Sequence, residues 1–547
     1  MAMPKVYAGQ RRRLIAALVA NGVAQAVCGF GLALSLRELL REARGGALSF
    51  AWLVGMLGLG AVVLGLRVRE ASDAERLGQD YVMRVRLRIF DRVALRPGRS
   101  EAKRRFGVTI TRLVGDLNSL RNWVSLGIAR LVVASISVAG LLGSLCYFSP
   151  SSAIAVVGVV GVGLLAGALA TPMLRQSVRE ARRRRGRLAN NLSEKVLAAR
   201  AVWQLGRAEH ERGRIRRHSG QLRDALVRRA RWSAVLRSSS EIAWPMAIVA
   251  VLASSIAAAR PTSELVIAVL LVGMIVTAMG QVARAWDYRI SFEEGRRRIE
   301  ETLAEPRIRE ARNPIALPGS GPVEVEFDDV GVEGTLSHVH FRAAAGECVL
   351  VVGPTGSGKS TLLALATRML VPDGGAVRLA GVPIEQIELD ALHAAVQIVS
   401  DDLPLLRGTV AENVGYAAPE EDEEWLRLVA ETCGLSDDPA LAEAGLETRI
   451  EEQGANLPQG LRQRIVLARA IAVRPRLLLV DAPGLLMDPV SNSALERAVA
   501  LSDATVLIVG SEHGAVPTVD QIWRLPEGRT EGPVLSAKVA SLSSGLK

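Results

Sequence analysis

Residues 348–368 read CVLVVGPTGSGKSTLLALATR and hold, from Gly353 to Ser360, the spacing G-x-x-x-x-G-K-[ST] of a phosphate-binding loop. Such a loop needs a buried strand before it and a helix after it. Val349 to Val352 is a β-branched and aliphatic run, and Ser360 to Met369 is rich in helix formers and ends before the turn cluster Pro372-Asp373-Gly374-Gly375. Glycines let backbone N–H groups approach phosphate oxygens, and the helix N-terminus adds its positive dipole. Lys359 supplies a point charge and Ser360 a hydroxyl able to ligate Mg²⁺. The residues assigned to a nucleotide are Gly353, Pro354, Thr355, Gly356, Ser357, Gly358, Lys359, Ser360 and Thr361.

At 547 residues the chain is too long for one core. Hydrophobic residues make up 49% and charged residues 22%, with mean hydropathy +0.23, so apolar and charged segments are segregated along the chain. The formal charge of +11 fits either a nucleic-acid partner or a membrane protein with basic inner loops. Position decides for the membrane, because no basic stripe is interleaved with aromatic residues. Cys28, Cys146, Cys348 and Cys433 fit neither a zinc site nor a disulfide framework and are read as buried thiols in a reducing compartment.

Apolar runs occur at Leu14 to Leu36, Ala47 to Leu66, Val124 to Phe148, Ala153 to Met173, Ile242 to Ala259 and Leu265 to Val282. Each is near the ~20 residues a helix needs to cross a bilayer core. The first is too long for a signal peptide and is read as a retained span. Long arginine-rich stretches of helical pattern, including Arg175, Arg179 and Arg182 to Arg185, follow the second and fourth runs, whereas the opposite loops are short. Arg37, Arg41 and Arg44 in the first outer loop run against this pattern but are outweighed. The basic-inside rule therefore predicts a multi-pass protein of the cell membrane with both termini and the nucleotide-binding part in the cytoplasm. The arginine runs are expected to be solvated helix faces. Asn21, Gln25 and Gln281 are expected to hold helices together, and Pro245 to kink the fifth span.

A Pro/Gly-rich connector follows, and short aliphatic strands then alternate with helical patterns. The expected division is a membrane domain over 1–305, a linker over 306–322, an α/β P-loop domain over 323–530 and a mobile tail over 531–547. Leu477-Leu478-Leu479-Val480-Asp481 is an apolar strand ending in a carboxylate, which with Ser360 would hold Mg²⁺.

Six spans with two long inner loops, joined to such a domain, resemble one half of an ABC exporter over nearly the whole chain. Thr111-Arg112-Leu113 with Asp116, and Ser193 through Gly206, are similar to the family's segments that meet the nucleotide-binding domain. Leu405 to Val414 and Arg462 to Ala470 match further family stretches, and Asp481 falls at the Walker B position. The resemblance implies an α-helical membrane domain of six transmembrane helices with long cytoplasmic extensions, followed by an α/β P-loop NTPase domain of ABC type. It also implies ATP with Mg²⁺, a lipid bilayer, a transported substrate and a second exporter half as partners, and no nucleic acid.

The chain departs from the family at the hydrolytic positions. Ala482 stands where the family has the glutamate that polarises water, and Gly510-Ser511 where it has the switch histidine, with His513 two places late. Asp401 takes the place of the loop glutamine, where a carboxylate could reach Mg²⁺ but adds negative charge beside phosphates. No aromatic residue stands near Gly331 to Gly334 to stack on adenine, and the signature reads Leu457-Pro458-Gln459-Gly460-Leu461. No catalytic residue is assigned. The expectation is an exporter half that binds ATP but hydrolyses it weakly or not at all, working with a different, catalytically complete half. The alternative is an ATP-binding membrane sensor or scaffold without transport of its own.

Overall fold

The computed structural model describes residues 3–44, 50–95, 115–257, 261–304, 307–308, 310–311, 313–401, 403–418, 422–512, 518–526 and 536–538. They divide into two compact units, Met1–Ala94 with Lys103–Glu305 and Leu95–Ala102 with Pro306–Lys547.

The first unit has six long helices, Arg11–Arg44, Phe50–Ala94, Gly115–Phe148, Pro150–Leu197, Ala208–Ala257 and Thr262–Ala304. Each expected apolar run lies within one of them, apart from end residues outside the described ones. All six are long and apolar enough to cross a membrane. At ~1.5 Å per residue, a helix like Pro150–Leu197 is roughly twice the length that a hydrocarbon core of about 30 Å requires, so each continues beyond it as a polar helix. The third contains a π-helical turn at Trp123–Ile128, and the fifth carries Pro245 inside it.

Polar groups do join these helices. Asn21 Nδ2 donates to the carbonyl of Leu66 at 2.8 Å, and Gln25 Nε2 donates to Asn21 Oδ1 at 2.7 Å and Glu70 Oε2 at 2.9 Å. Gln281 differs, because its buried Oε1 has no partner among the described residues. The arginine run is only partly a solvated face. Arg182 is half-buried over Asp116 at 3.2 Å and also donates to Ser119 Oγ and the Ser291 carbonyl, so it cements helices. Asp116 is 6% exposed and lies 3.6 Å from Arg298 as well. Thr111, Arg112 and Leu113 lie outside the described residues. Cys28, Cys348 and Cys433 are buried, but Cys146 is exposed, which corrects the reading of four buried thiols. On a spanning helix an apolar side chain needs no protein cover, because lipid is an apolar solvent.

In the second unit, burial pushes the Cys348 and Cys433 thiols up to about 12. A six-stranded sheet runs in the order Ser536–Lys538, Gln521–Arg524, Cys348–Val352, Thr505–Val509, Leu477–Asp481, Val396–Ser400. The last five strands pair in parallel, and Ser536–Lys538 pairs antiparallel, within the stretch expected to be a mobile tail. Side chains alternate between two cores, as the two-residue period requires. Leu350, Val352, Leu478, Val480, Val506 and Ile508 pack on the side of the helix Gln459–Ala472. Val349, Val351, Leu477, Leu479, Leu507 and Val509 pack against the helix Lys359–Ala366 and a four-stranded sheet ordered Leu336–Ala343, Val325–Val332, Gly374–Leu379, Val382–Pro383. Connector residues dock on this unit, since Arg476 donates to the carbonyls of Gly321 at 2.6 Å and Pro318 at 2.8 Å.

The helix Gln459–Ala472 is anchored by Arg464, which donates to the Gly434 carbonyl at 2.5 Å and pairs with Asp438, both side chains being largely buried. Arg464→Ala leaves the Asp438 carboxylate buried without its cation, which costs about 3–5 kcal/mol. A thermal scan of the full chain, read on this unit, is expected to show a clear fall in Tm, and an unchanged Tm would contradict the pairing.

Candidate nucleotide site

The parallel strands deliver the loop and the carboxylate to one edge of the sheet. Val351 is level with Val509 and Ile508 with Val480, so Gly353 and Asp481 both follow at the carboxyl ends of their strands. Gly353, Thr355, Gly356, Gly358, Lys359, Ser360, Thr361 and Asp481 line a single cavity of about 510 Å³. Pro354 and Ser357 do not line it. Pro354 contributes its carbonyl to Lys359, whereas Ser357 is buried within the loop.

Local geometry explains the glycines at two positions. Gly358 precedes the helix with φ +101, and a Cβ there would fall 2.5 Å from Leu336 Cδ2. Gly356 has φ +89 with nothing within 4 Å of a would-be Cβ, so its backbone is open to an approaching group. The helix ends at Ala366, earlier than expected. Arg368 takes φ +57 and the Leu370 amide returns to the Ala364 carbonyl at 3.1 Å, closing the helix C-terminus.

Lys359 Nζ donates to the carbonyls of Gly353 at 2.6 Å and Pro354 at 2.7 Å, folding the loop around its ammonium. Burial holds the Lys359 ammonium below the usual lysine range, and Asp481 acts in the opposite sense. Ser357 Oγ is buried without a hydrogen-bond partner among the described residues. An open glycine backbone and a lysine ammonium on the cavity wall together fit a polyphosphate. The hydroxyl of exposed Ser360 and the carboxylate of Asp481 face the same cavity and are the hard oxygen donors Mg²⁺ prefers.

Thr335, Pro483, Leu486, Met487 and Val509 also line the cavity, and the sequence reading did not single them out. Thr335 sits in the turn between two strands of the other sheet, and no local signal announces its arrival here. Gly510 and Ser511 line the cavity, while His513 lies outside the described residues. Ala482 is 1% exposed, packs in the core and does not line the cavity.

Asp401 is not a cavity residue. It accepts a hydrogen bond from Gln463, which is buried on the helix Gln459–Ala472. The expectation of a carboxylate beside the phosphates is therefore not met. Gln463 is itself confined, since a Cβ on Gly484 would come 2.3 Å from its Nε2. At the altered signature, Pro458 is the N-cap and no side chain caps the helix, while Leu457 and Leu461 anchor it in the core. Gln459 is exposed at its first turn.

A family model described as the ABC transporter transmembrane region matches residues 14–279, and one described as ABC transporter matches residues 336–484. A multidrug efflux ATP-binding/permease protein of Mycobacterium bovis is 31% identical over 276 residues, 50% of this chain and 22% of that protein. The chain thus spans about a fifth of that relative. An ATP-dependent lipid A-core flippase of Bordetella avium is 24% identical over 502 residues, covering 88% of this chain and 84% of that one. Among solved structures, a bacterial Atm1-family ABC exporter with ATP bound superimposes with TM-score 0.83 at 19% identity, covering 96% of this chain and 95% of that chain. Six spanning helices followed by a P-loop domain, each matched by its own family model, make this chain a member of the ABC transporter family with the architecture of an exporter half.

Proposed function

We propose that this chain is a subunit of an ATP-dependent exporter that binds ATP but contributes little or no hydrolysis at its own site, and that it works with a different, catalytically complete half. Gly353 to Thr361 hold the phosphates, and Ser360 and Asp481 hold Mg²⁺. The nucleotide-binding unit and both termini lie on the cytoplasmic side of the cell membrane. The relatives named for multidrug efflux and for lipid A-core flipping favour export of an apolar or amphipathic substrate.

The observation that carries the hydrolytic part is the pair Ala482 and Ser511. The first is a core methyl, and the second puts a hydroxyl where the family has an imidazole. Neither serves as a base near neutral pH. General-base assistance is worth about 10²- to 10⁴-fold in rate, so binding and turnover separate here. The purified chain alone is expected to bind ATP yet turn over at least about 100-fold more slowly than the assembled pair, measured as phosphate release. Brisk turnover by the chain alone overturns the proposal. ATP-dependent flux into vesicles by the pair distinguishes an exporter from a sensor or scaffold.

A further inference from the structure

The polar extensions of the fourth and fifth helices form an antiparallel pair. Arg184 donates to Gln221 at 2.5 Å and Lys195 lies 3.6 Å from Glu211, so the two helices run in opposite directions. Residues 175–231 hold 18 lysines and arginines against 5 aspartates and glutamates, an excess larger than the +11 of the entire chain. The carboxylates are all taken. Glu180 faces Arg184, Glu194 and Glu211 face Lys195, Glu209 faces Arg212, and Asp224 faces Arg223. Arg185, Arg216 and Arg231 are exposed and make no ion pair or side-chain hydrogen bond among the described residues.

Among these charges lies a largely apolar groove of about 460 Å³. Leu188 of the fourth helix lines it with Ser219, Leu222, Arg223, Leu226, Val227 and Ala230 of the fifth. The residues of the fifth helix fall at i, i+3, i+4, i+7, i+8 and i+11, which is one helix face over three turns. Val227 is 44% exposed on it. An apolar stripe left to water forgoes the free energy of burial, and a stripe of this length along a helix pair has the shape of a seat for a third helix. Arg216 stands seven residues before Arg223 and Arg231 four after Val227, so both continue the edge of the stripe. Arg185 stands one turn before Leu188 on the facing helix.

Position and chemistry select the occupant. Leu188 is 15 residues beyond Met173 and Leu226 is 16 residues before Ile242, the ends of the fourth and fifth apolar runs. At ~1.5 Å per residue the groove stands more than about 20 Å beyond the hydrocarbon core, whereas salt screens charges over roughly 8–10 Å. Lipid headgroups are therefore out of reach. The groove holds no aromatic ring on which a nucleic-acid base could stack. A helix with an apolar ridge and carboxylates on both edges satisfies floor and rim together, because guanidinium forks match carboxylate oxygens.

We propose that this groove docks an acidic amphipathic helix of a second protein chain, with the apolar ridge on Leu222, Leu226 and Val227 and the carboxylates on Arg185, Arg216 and Arg231. Docking here does not depend on which site hydrolyses ATP.

The test is fluorescence anisotropy of a labelled peptide of about 18 residues, with leucines at i, i+3, i+4 and i+7 and glutamates on both edges, titrated with the full chain in phosphatidylcholine nanodiscs. The comparators are a scrambled peptide of the same composition, a counterpart with lysine for glutamate, and a single-stranded RNA, with empty discs as the blank. The acidic amphipathic peptide is expected to bind at least about tenfold more tightly than the scrambled one, and the lysine counterpart not to bind. Val227→Asp should weaken it by about tenfold. Arg185→Glu, Arg216→Glu and Arg231→Glu combined should reverse the preference toward the lysine counterpart, a gain that misfolding cannot mimic. Arg200→Glu and Arg207→Glu, at exposed arginines beyond the groove, should leave the affinity of the acidic peptide within about twofold. Equal binding of the scrambled peptide, RNA binding as tight as that of the acidic peptide, or a triple variant that keeps the acidic preference overturns the proposal. A signal of the same size from empty discs assigns binding to lipid and overturns it as well.

Discussion

Lys359→Ala is expected to lower the affinity of the purified chain for ATP by about 100- to 1,000-fold, on the scale of two lost charge-assisted contacts. The ammonium does two things in this structure. It draws the Gly353 and Pro354 carbonyls inward through bonds of 2.6 and 2.7 Å, and it supplies positive charge to a cavity whose acidic wall residue is Asp481. Alanine removes the charge, frees the two carbonyls and leaves Asp481 to repel phosphate. Displacement of a fluorescent ATP analogue measures the effect directly. Thermal scans give an independent check, because saturating ATP stabilises a chain that binds it and leaves the variant's Tm where it was. Affinity within fivefold of the unsubstituted chain would exclude Lys359 from the phosphate site.

Gly375→Ala is expected to be among the most damaging single methyl additions in the nucleotide-binding unit, costing more than about 4 kcal/mol. Gly375 has φ +76, and a Cβ there would lie 2.2 Å from the carbonyl oxygen of Asp329 and 2.4 Å from that of Asp328. Both obstacles are backbone and cannot rotate away. They belong to an irregular stretch of Val325–Val332, where register with Gly374–Leu379 shifts between Asp328 and Gly331 and where Asp329 itself has φ +52. The same strand pairs with Leu336–Ala343, and the turn between them carries Thr335 into the nucleotide cavity. A thermal scan of the full chain should show this unit's Tm falling by roughly 10 °C or more. The buried Trp523, stacked on Phe341 at 4.5 Å, is a fluorescence reporter within this core. Gly374→Ala is the control, since no atom lies within 4 Å of its would-be Cβ and its φ is not positive, and its effect should be near zero. Equal effects at the two neighbouring glycines would contradict the strand crossing.

The sequence by itself determined the six spanning helices, the phosphate loop with its strand and helix, and the strand ending in Asp481. These are one-dimensional signals: the length of an apolar run, the spacing of glycines, a carboxylate closing an aliphatic stretch. Hydrophobic transfer and backbone sterics act on them locally, so neighbours in the chain suffice to read them. Cys146 shows where this stops, because an apolar run does not say which side faces protein and which faces lipid.

Tertiary structure alone decided the pairings. Asp401 reads as a group beside the phosphates until Gln463, far along the chain, claims it. Arg182 reads as part of a solvated run until Asp116 is found beneath it. The turn cluster Pro372 to Gly375 announces a turn, yet only the crossing strand distinguishes Gly375 from Gly374. Arg67, Arg130 and Arg284 are far apart in sequence and line one cavity because three helices from separate parts of the chain pack around it. Which distant groups become partners depends on packing geometry that no local spacing encodes.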